Sequence, residues 1–285
     1  MSQAHADESG RPRRHHAQKS CKTPKKTVHG RSGLLPLSDL SGPSLIRAIP
    51  GFFEPIASLS HLAAAAVGLI ASVPMLRLGR GGRMRLLSVA IYTFAVVASL
   101  AVSGAYHSLE MGRTRTIMQR LDYSMIWLLI AGTFTAIHGV LHEGRWRTWM
   151  LAFVWTYSAI GCLAQVVRFD LFSGFGCLVV YLGLAWAGLL SIVKLARQLG
   201  FKAIWPVCGA GLVYTVGAVA ETLKQPTLVA GSIGPHEVFH LAVILGACLN
   251  WSFIHRVLTV HAPSPLLVPA PAPMTVIDGR RTISA

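Results

Sequence analysis

Seven apolar stretches, each about 19 to 23 residues long and separated by short connections, set the strongest limit on how this 285-residue chain folds. As an α-helix, a stretch of this length spans roughly 30 Å, which is the thickness of the hydrocarbon core of a bilayer. Backbone N–H and C=O groups in lipid must pair within the protein, so each stretch is expected to be helical. The sequence therefore predicts an all-α membrane protein with seven transmembrane helices, over residues 56–75, 86–107, 121–141, 149–167, 171–193, 203–223 and 236–258.

The composition agrees with a protein that is solvated mostly by lipid. Hydrophobic residues make up 53% of the chain and charged residues only 13%, whereas soluble domains carry about 25% charged residues. The net charge of +15 would suggest nucleic acid as the partner of a soluble chain. Here the basic residues lie in the amino-terminal tail and in the short connections, as they do in membrane proteins. We therefore expect membrane lipid, and no nucleic acid, as the partner.

The two ends of the chain differ in composition from its middle. Residues 1–50 hold nine Lys/Arg with scattered Pro, Ser and Gly, and show no helical periodicity, which predicts a disordered basic tail. Residues 51–258 form the seven-helix transmembrane domain, and residues 259–285 are a Pro/Ala-rich segment that is also predicted to be disordered. The prediction is an integral, multi-pass protein of a plasma membrane or a bacterial inner membrane.

Ionisable residues inside membrane helices are costly and point to function, and their depth can be compared because consecutive spans run antiparallel. We call side A the membrane side on which the first span begins and the second ends, and side B the opposite one. His107 ends the second span, with Ser103 one turn earlier, and Asp122 opens the third. His236 and His240 open the seventh span and share one helix face, since residues four apart stack. All five residues are therefore expected at similar depth on side A.

Three neutral imidazoles with an open fourth position are typical of a catalytic zinc site. Zinc in such a site lowers the pKa of a bound water toward ~7 and so makes it a nucleophile at neutral pH. We therefore predict His107, His236 and His240 as Zn²⁺ ligands. Asp122 is predicted to orient that water or to accept its proton, and Ser103 to hydrogen-bond a ligand or a substrate oxygen.

The stretch HEVFH at 236–240 also fits the H-E-x-x-H motif of zinc metalloproteases. Those enzymes need a third ligand further along the chain, and the only acid after His240 is Asp278, in the tail. A second alternative is that the pair of histidines packs at the membrane interface without a metal. The convergence with His107 and Asp122 favours a metal site over both alternatives.

Other histidines and acids do not share the predicted site. His138 and His142 have the same spacing of four, but lie roughly 24 to 30 Å along a helix from Asp122, so we expect them near side B, at the interface. His61 and Glu221 fall on side A and are expected to be satisfied interior polar groups rather than ligands. By spacing alone, both histidine pairs could belong to the metal site, whereas by depth only His236 and His240 can.

Three short segments resemble the signature regions of the hemolysin III group, which belongs with the progestin and adipoQ receptors and the alkaline ceramidases. They are Ser103-Gly-Ala-Tyr-His107, Leu121-Asp122-Tyr123-Ser124 and His236-Glu-Val-Phe-His240-Leu241. Glu54 followed by Ser60-His61, and the glycine-bounded segment 211–217, resemble further features of the group. The resemblance covers roughly residues 52–258. Glu221 departs from the pattern, because a neutral or aromatic residue is expected there.

The resemblance implies seven helices, zinc on His107, His236 and His240, and Asp122 near the metal-bound water. It also implies a cytoplasmic amino terminus, which we adopt although the Lys/Arg count close to the helices favours the opposite orientation. Bacterial members of the group are named for haemolysis, whereas eukaryotic relatives act as receptors and some relatives hydrolyse lipid amides. For this chain we predict a zinc-dependent hydrolase of lipid amide or ester bonds. A pore-forming or cytolytic protein is the second hypothesis and a ligand-responsive receptor the third, and the sequence leaves the oligomeric state open.

Overall fold

The computed structural model describes residues 52–169, 175–229 and 233–260. These residues form eight α-helices: α1 Pro55–Gly79, α2 Arg83–Ser108, α3 Arg113–Leu141, α4 Gly144–Val167, α5 Phe175–Ala187, α6 Leu189–Leu199, α7 Phe201–Leu223 and α8 Pro235–Val260. The predicted disordered tails lie outside the described residues, except that positions 259 and 260 continue α8.

Within the described residues, seven helical spans are long and apolar enough to cross a membrane, which confirms the predicted fold class. The fifth span, Leu178–Leu199, includes most of α5 and all of α6. Large apolar side chains point outward from the helices, among them Val67, Ile70, Phe94 and Leu190, each more than 60% exposed. Such side chains would be unfavourable in water, and in a bilayer they face lipid tails.

The third helix is longer than predicted. It begins at Arg113 rather than near position 121, because the polar residues between Gly112 and Leu121 include no helix breaker and extend the helix beyond the apolar stretch. Asp122 therefore lies in the third turn of α3 instead of opening it. The added turns also bring Arg115 onto the helix, where it contacts residues of the candidate site described below.

The fifth span is not the single helix predicted over 171–193. Gly188 interrupts it, and its N–H donates to the carbonyl of Ala185 at 3.1 Å, a tighter turn than that of an α-helix. A Cβ added at Gly188 would lie 2.9 Å from the Ala185 carbonyl oxygen and 2.9 Å from the ring of Phe134. Only glycine fits at this bend, and the predicted start at 171 lies outside the described residues.

The helices that carry the candidate site pack against one another through α1 and α2. α1 contacts α2 and α8, and α2 contacts α3. The α1–α2 approach is close at Gly104, where an added Cβ would lie 2.7 Å from Cγ of Leu62, and the Ser58 hydroxyl donates to the Gly104 carbonyl at 2.8 Å. Close contact through small residues is the usual way in which helices associate in lipid. The contact at Gly104 places the side-A end of α2 against the beginning of α1.

Candidate metal centre

Three histidines from α2 and α8 converge on side A. One nitrogen of each, on His107, His236 and His240, lies within 4.8 Å of the other two, and within the described ranges this is the one group of at least three His, Cys, Asp or Glu residues that could hold a metal ion. The ring centroids are 4.4 to 5.0 Å apart. His107 and His240 are buried, while the His236 side chain is 36% exposed. The group is thus closed on the protein side and open at His236.

The donor set fits a divalent transition metal. Zinc–nitrogen bonds of ~2.0–2.1 Å place tetrahedral ligand nitrogens roughly 3.4 Å apart. Nε2 of His236 and Nε2 of His240 are 3.0 Å apart, close to that spacing, and the ligand nitrogen of His107 lies within 4.8 Å of the other two. Imidazole is a common zinc ligand, and two of the three rings are shielded from water.

His107 is oriented by a carboxylate from the segment before α1. Its Nδ1 contacts Oε2 of Glu54, and the backbone N–H of Glu54 donates to the carbonyl of His107 at 3.0 Å. The other carboxylate oxygen of Glu54 accepts a hydrogen bond from the buried Arg115 guanidinium at 2.6 Å. With Nδ1 engaged, Nε2 of His107 is left as the ligand atom, an arrangement found at most metal-bound histidines.

Glu54 is held as a carboxylate. Burial by itself would raise the pKa of the Glu54 carboxyl, but its contacts with the His107 and His236 rings keep that pKa well below its usual range. The Arg115 guanidinium at 2.6 Å favours the charged form further. A carboxylate that accepts the Nδ1 proton of His107 makes the imidazole a better electron donor at Nε2.

His240 has an equivalent partner in another histidine. Its Nδ1 lies 3.0 Å from Nε2 of His61, in α1, and the two rings meet edge to face. His61 is 2% exposed, and its own Nδ1 has no hydrogen-bond partner among the described residues. If His240 donates from Nδ1, its Nε2 is free to bind the metal beside His236. His61, expected to be an ordinary interior polar group, therefore contacts a candidate ligand directly.

The two predicted catalytic residues lie beside the histidines. Oδ2 of Asp122 is 4.0 Å from Nε2 of His107, and its side chain is 16% exposed. Ser103 is buried on α2, one turn before His107, with its hydroxyl within reach of the Asp122 carboxylate. Asp122 is thus next to the metal-facing nitrogen of His107 without belonging to the three-histidine group. Its carboxylate can accept a proton from a group bound between the histidines.

Glu237, the acid of the HEVFH stretch, contacts the end of its own helix. Its Oε2 accepts a hydrogen bond from the backbone N–H of Gly234 at 2.9 Å, and the Gly234 carbonyl accepts the first intrahelical bond, from Val238. This is the acid half of a capping box, in which the third helical residue satisfies the N–H of the cap. A metalloprotease would need the same carboxylate as its general base, so this contact accounts for the acid without protease chemistry.

Glu221 lies at the open edge of the group. Its Oε1 is 3.6 Å from Nδ1 of His236 and 2.6 Å from Nζ of Lys224. Arg115, in contrast, was not predicted to be near the site, because it was assigned to a surface connection. The only sequence signal for Arg115 was the unbroken run of helix-forming residues between positions 113 and 120.

His138 and His142 lie outside the three-histidine group, near the side-B end of α3. Their position near the end of α3 agrees with the predicted depth near side B, but both side chains are buried inside the protein, at 0% and 3% exposure. Ser191 of α6 covers His138, with Oγ 3.1 Å from Nε2.

We expect Glu54→Gln to weaken Zn²⁺ binding about 10- to 100-fold, because loss of a partner behind a metal-bound histidine typically has an effect of that size. The amide keeps the volume but removes the negative charge that receives the Nδ1 proton of His107. Competition with a fluorescent chelator measures the affinity. The exposed Glu110 supplies the matched control, Glu110→Gln, which should bind zinc as the wild type does. Equal affinity in the two variants would show that Glu54 does not support the ligand.

The region of the chain that holds the candidate site is similar in sequence to known proteins. A family model described as haemolysin-III related matches residues 53–251. The hemolysin-3 homolog of Bacillus subtilis (strain 168) is 25% identical over 190 residues, covering 64% of this chain and 84% of the relative. Hemolysin-3 of Bacillus cereus is 23% identical over 189 residues, covering 64% and 83%. The matched region includes all three histidines, Asp122 and Glu54.

Proposed function

This chain belongs to the haemolysin-III family of membrane proteins, and from that premise we propose that it hydrolyses amide or ester bonds of membrane lipids with Zn²⁺ held by His107, His236 and His240. The observation that carries the proposal is the convergence of three ligand nitrogens within 4.8 Å of one another, with a carboxylate 4.0 Å from one of those rings. Bound there, zinc supplies Lewis-acid chemistry, since it acidifies water and polarises a carbonyl group.

Side chains of the protein transfer the proton, bind the substrate oxygen and position the ligands. Oδ2 of Asp122 accepts a proton from the attacking water and later returns it to the leaving amine or alcohol. The Ser103 hydroxyl donates a hydrogen bond to the substrate carbonyl oxygen, where negative charge develops. Glu54 holds the His107 ring and His61 holds the His240 ring, each through Nδ1 of the ligand ring.

The position of the group supports a lipid as the substrate. His107 ends α2 and His236 begins α8, so the group lies at the side-A end of helices whose outer faces are apolar. The amide and ester bonds of membrane lipids lie at this level, between the headgroups and the acyl chains. His236, which is partly exposed, marks the side from which such a bond reaches the metal.

A pore through a single chain is the second hypothesis, and it is less well supported. The buried apolar core includes Val96, Leu100 and Ala247, near the middle of α2 and α8. A channel for ions or small solutes needs a polar lining along its length, whereas these residues fill the space between the two polar ends with apolar side chains.

Purified protein in nanodiscs tests the two functions together. The hydrolase is expected to release fatty acid from a panel of ceramides and glycerolipids, to stop when a zinc chelator is added, and to recover with Zn²⁺. Dye-loaded liposomes containing the protein should stay sealed. Leakage of the dye without any lipid turnover would instead support the pore.

We further propose that side A faces the cytoplasm of a cell with this protein in its plasma or inner membrane, as the family resemblance implies. The α8 helix ends on side B, so alkaline phosphatase fused after it should be active outside the cytoplasm. The connections on side B are rich in Lys and Arg, which by the positive-inside rule favours the opposite orientation. Fluorescence of green fluorescent protein at the same position, with inactive phosphatase, would reverse the assignment.

A further inference from the structure

A second buried polar cluster lies at the opposite end of the bundle, on side B. It consists of His138 and His142 near the end of α3, Trp146 of α4, and Ser191 and Lys194 of α6, and we call it the side-B cluster. The two imidazole rings stack with centroids 4.9 Å apart. Nζ of Lys194 lies 4.9 Å from the centre of the Trp146 ring. The side-B cluster plays no part in the proposed hydrolysis.

Several nitrogens of this cluster are buried without a partner. Nδ1 of His138, both ring nitrogens of His142 and Nε1 of Trp146 make no hydrogen bond to any described residue. A buried polar atom that lacks a partner costs about 1–3 kcal/mol, so one such atom is an exception and several together indicate a bound group. The indole N–H of Trp146 can only donate, and a neutral His142 ring offers a second N–H, so the missing partner must include hydrogen-bond acceptors.

The surrounding charge is strongly positive. Among the described residues, the side-B ends and connections of the helices carry ten Lys/Arg and one acid, Glu143. The ten are Arg77, Arg80, Arg83, Arg85, Arg145, Arg147, Lys194, Arg197, Lys202 and Arg256. At the cluster itself, Arg147 donates to the His142 carbonyl at 3.4 Å. An anion is favoured in this setting and a metal cation is not.

The donor set also argues against a metal ion. Two imidazoles are available, and no described Asp, Glu or Cys joins them to form a group of three ligands. The Lys194 charge would repel a divalent cation, whereas it would strengthen hydrogen bonds to an anion.

We propose that the side-B cluster binds a phosphate group, with Lys194 supplying the charge and His142 and Trp146 supplying N–H donors. His142 follows the last residue of α3, so the cluster lies at the level of the lipid headgroups. Basic pockets between transmembrane helices bind phospholipid headgroups on the cytoplasmic side of membranes, and the side-B cluster offers the same kind of donors on the opposite side. A phospholipid and free inorganic phosphate share this chemistry, and the experiment separates them.

Thermal unfolding of the detergent-purified protein is followed while dioleoylphosphatidylglycerol is added, with dioleoylglycerol, which lacks the phosphate, as the parallel titration. Phosphatidylglycerol is expected to raise the unfolding temperature with saturation, and dioleoylglycerol to leave it unchanged. Lys194→Gln and His142→Phe should each raise the half-saturating concentration about tenfold, since each removes a donor to a charged group. The phenyl ring keeps the planar packing of His142 but offers no nitrogen.

Arg80→Gln is the matched control, because Arg80 is an exposed side-B residue outside the cluster, and it should titrate as the wild type does. If Arg80→Gln weakened phosphatidylglycerol binding as much as the cluster variants do, the lipid would be attracted by the overall basic charge of side B, and the proposal would fail. It would fail equally if dioleoylglycerol protected as well as phosphatidylglycerol, or if both cluster variants bound normally. Inorganic phosphate added alone tests the source: protection that both cluster variants weaken assigns the site to free phosphate.

Discussion

The His107→Ala protein is expected to lose its bound zinc while remaining folded. Zinc-finger sites, which have four protein ligands, bind Zn²⁺ with ~10–16 kcal/mol, or about 3 kcal/mol per ligand. By that measure, loss of one of the three histidines here should weaken binding roughly 10²- to 10³-fold. The remaining pair, His236 and His240, lies on one turn of α8 and cannot close a tetrahedral site alone. The double variant His236→Ala/His240→Ala, which leaves only His107, should lose the metal completely. Zinc is measured by mass spectrometry of the purified, dialysed proteins.

His255→Ala is the control for this series. His255 is also on α8 and is exposed to the surroundings of the helix, so its removal should leave one zinc per chain in place. Circular dichroism confirms that each variant keeps its helices. If His107→Ala retained stoichiometric zinc, the metal would be bound elsewhere and the assignment of the ligands would be wrong.

The Asp122→Asn protein should show the opposite combination, with full zinc content and little lipid hydrolysis. The amide fills the same space beside His107 but cannot accept a proton, and loss of a general base typically lowers the rate about 10²- to 10⁴-fold. Because the effect falls on proton transfer, kcat should decrease while KM for the lipid stays close to the wild-type value. The measurement is the release of fatty acid from the best substrate of the lipid panel, together with zinc content on the same sample.

Glu110→Gln serves as the comparison here, since it neutralises an exposed acid in the connection between α2 and α3. Its rate should equal that of the wild type. Equal turnover by wild type and Asp122→Asn would remove Asp122 from the mechanism. A loss of zinc from Asp122→Asn would make it a ligand rather than a base.

The transmembrane spans could be predicted from the sequence because lipid imposes a length and an apolar composition on each of them. The boundaries were less accurate where other forces act. The polar first turns of α3 lie beyond the apolar stretch, so hydropathy did not indicate that the helix begins at Arg113. At Gly188, where the fifth span is interrupted, the ring of Phe134 leaves no room for a side chain, and Phe134 is far away in sequence.

The depth of residues along antiparallel spans was sufficient to predict that His107, His236 and His240 lie close together. The rise per residue of a helix converts residue number into distance. Depth could not give the side-chain contacts behind these histidines. The contacts of His107 and Arg115 with the Glu54 carboxylate, and of His240 with His61, depend on how α1 packs against α2 and α8.

Contacts between helices also decide the environment of the second histidine pair, and the sequence does not give them. Depth correctly kept His138 and His142 apart from the side-A group, but their burial depends on cover from α6, which no pattern within α3 can reveal.

Anomalous scattering at the zinc absorption edge, recorded from crystals of the purified wild-type protein, tests the central claim most directly because it gives the position of the metal as well as its presence. We predict a single strong peak between the Nε2 atoms of His107, His236 and His240, beside Asp122. A peak at His138 and His142 instead, or no peak between the three side-A histidines in crystals grown with Zn²⁺, would contradict the account.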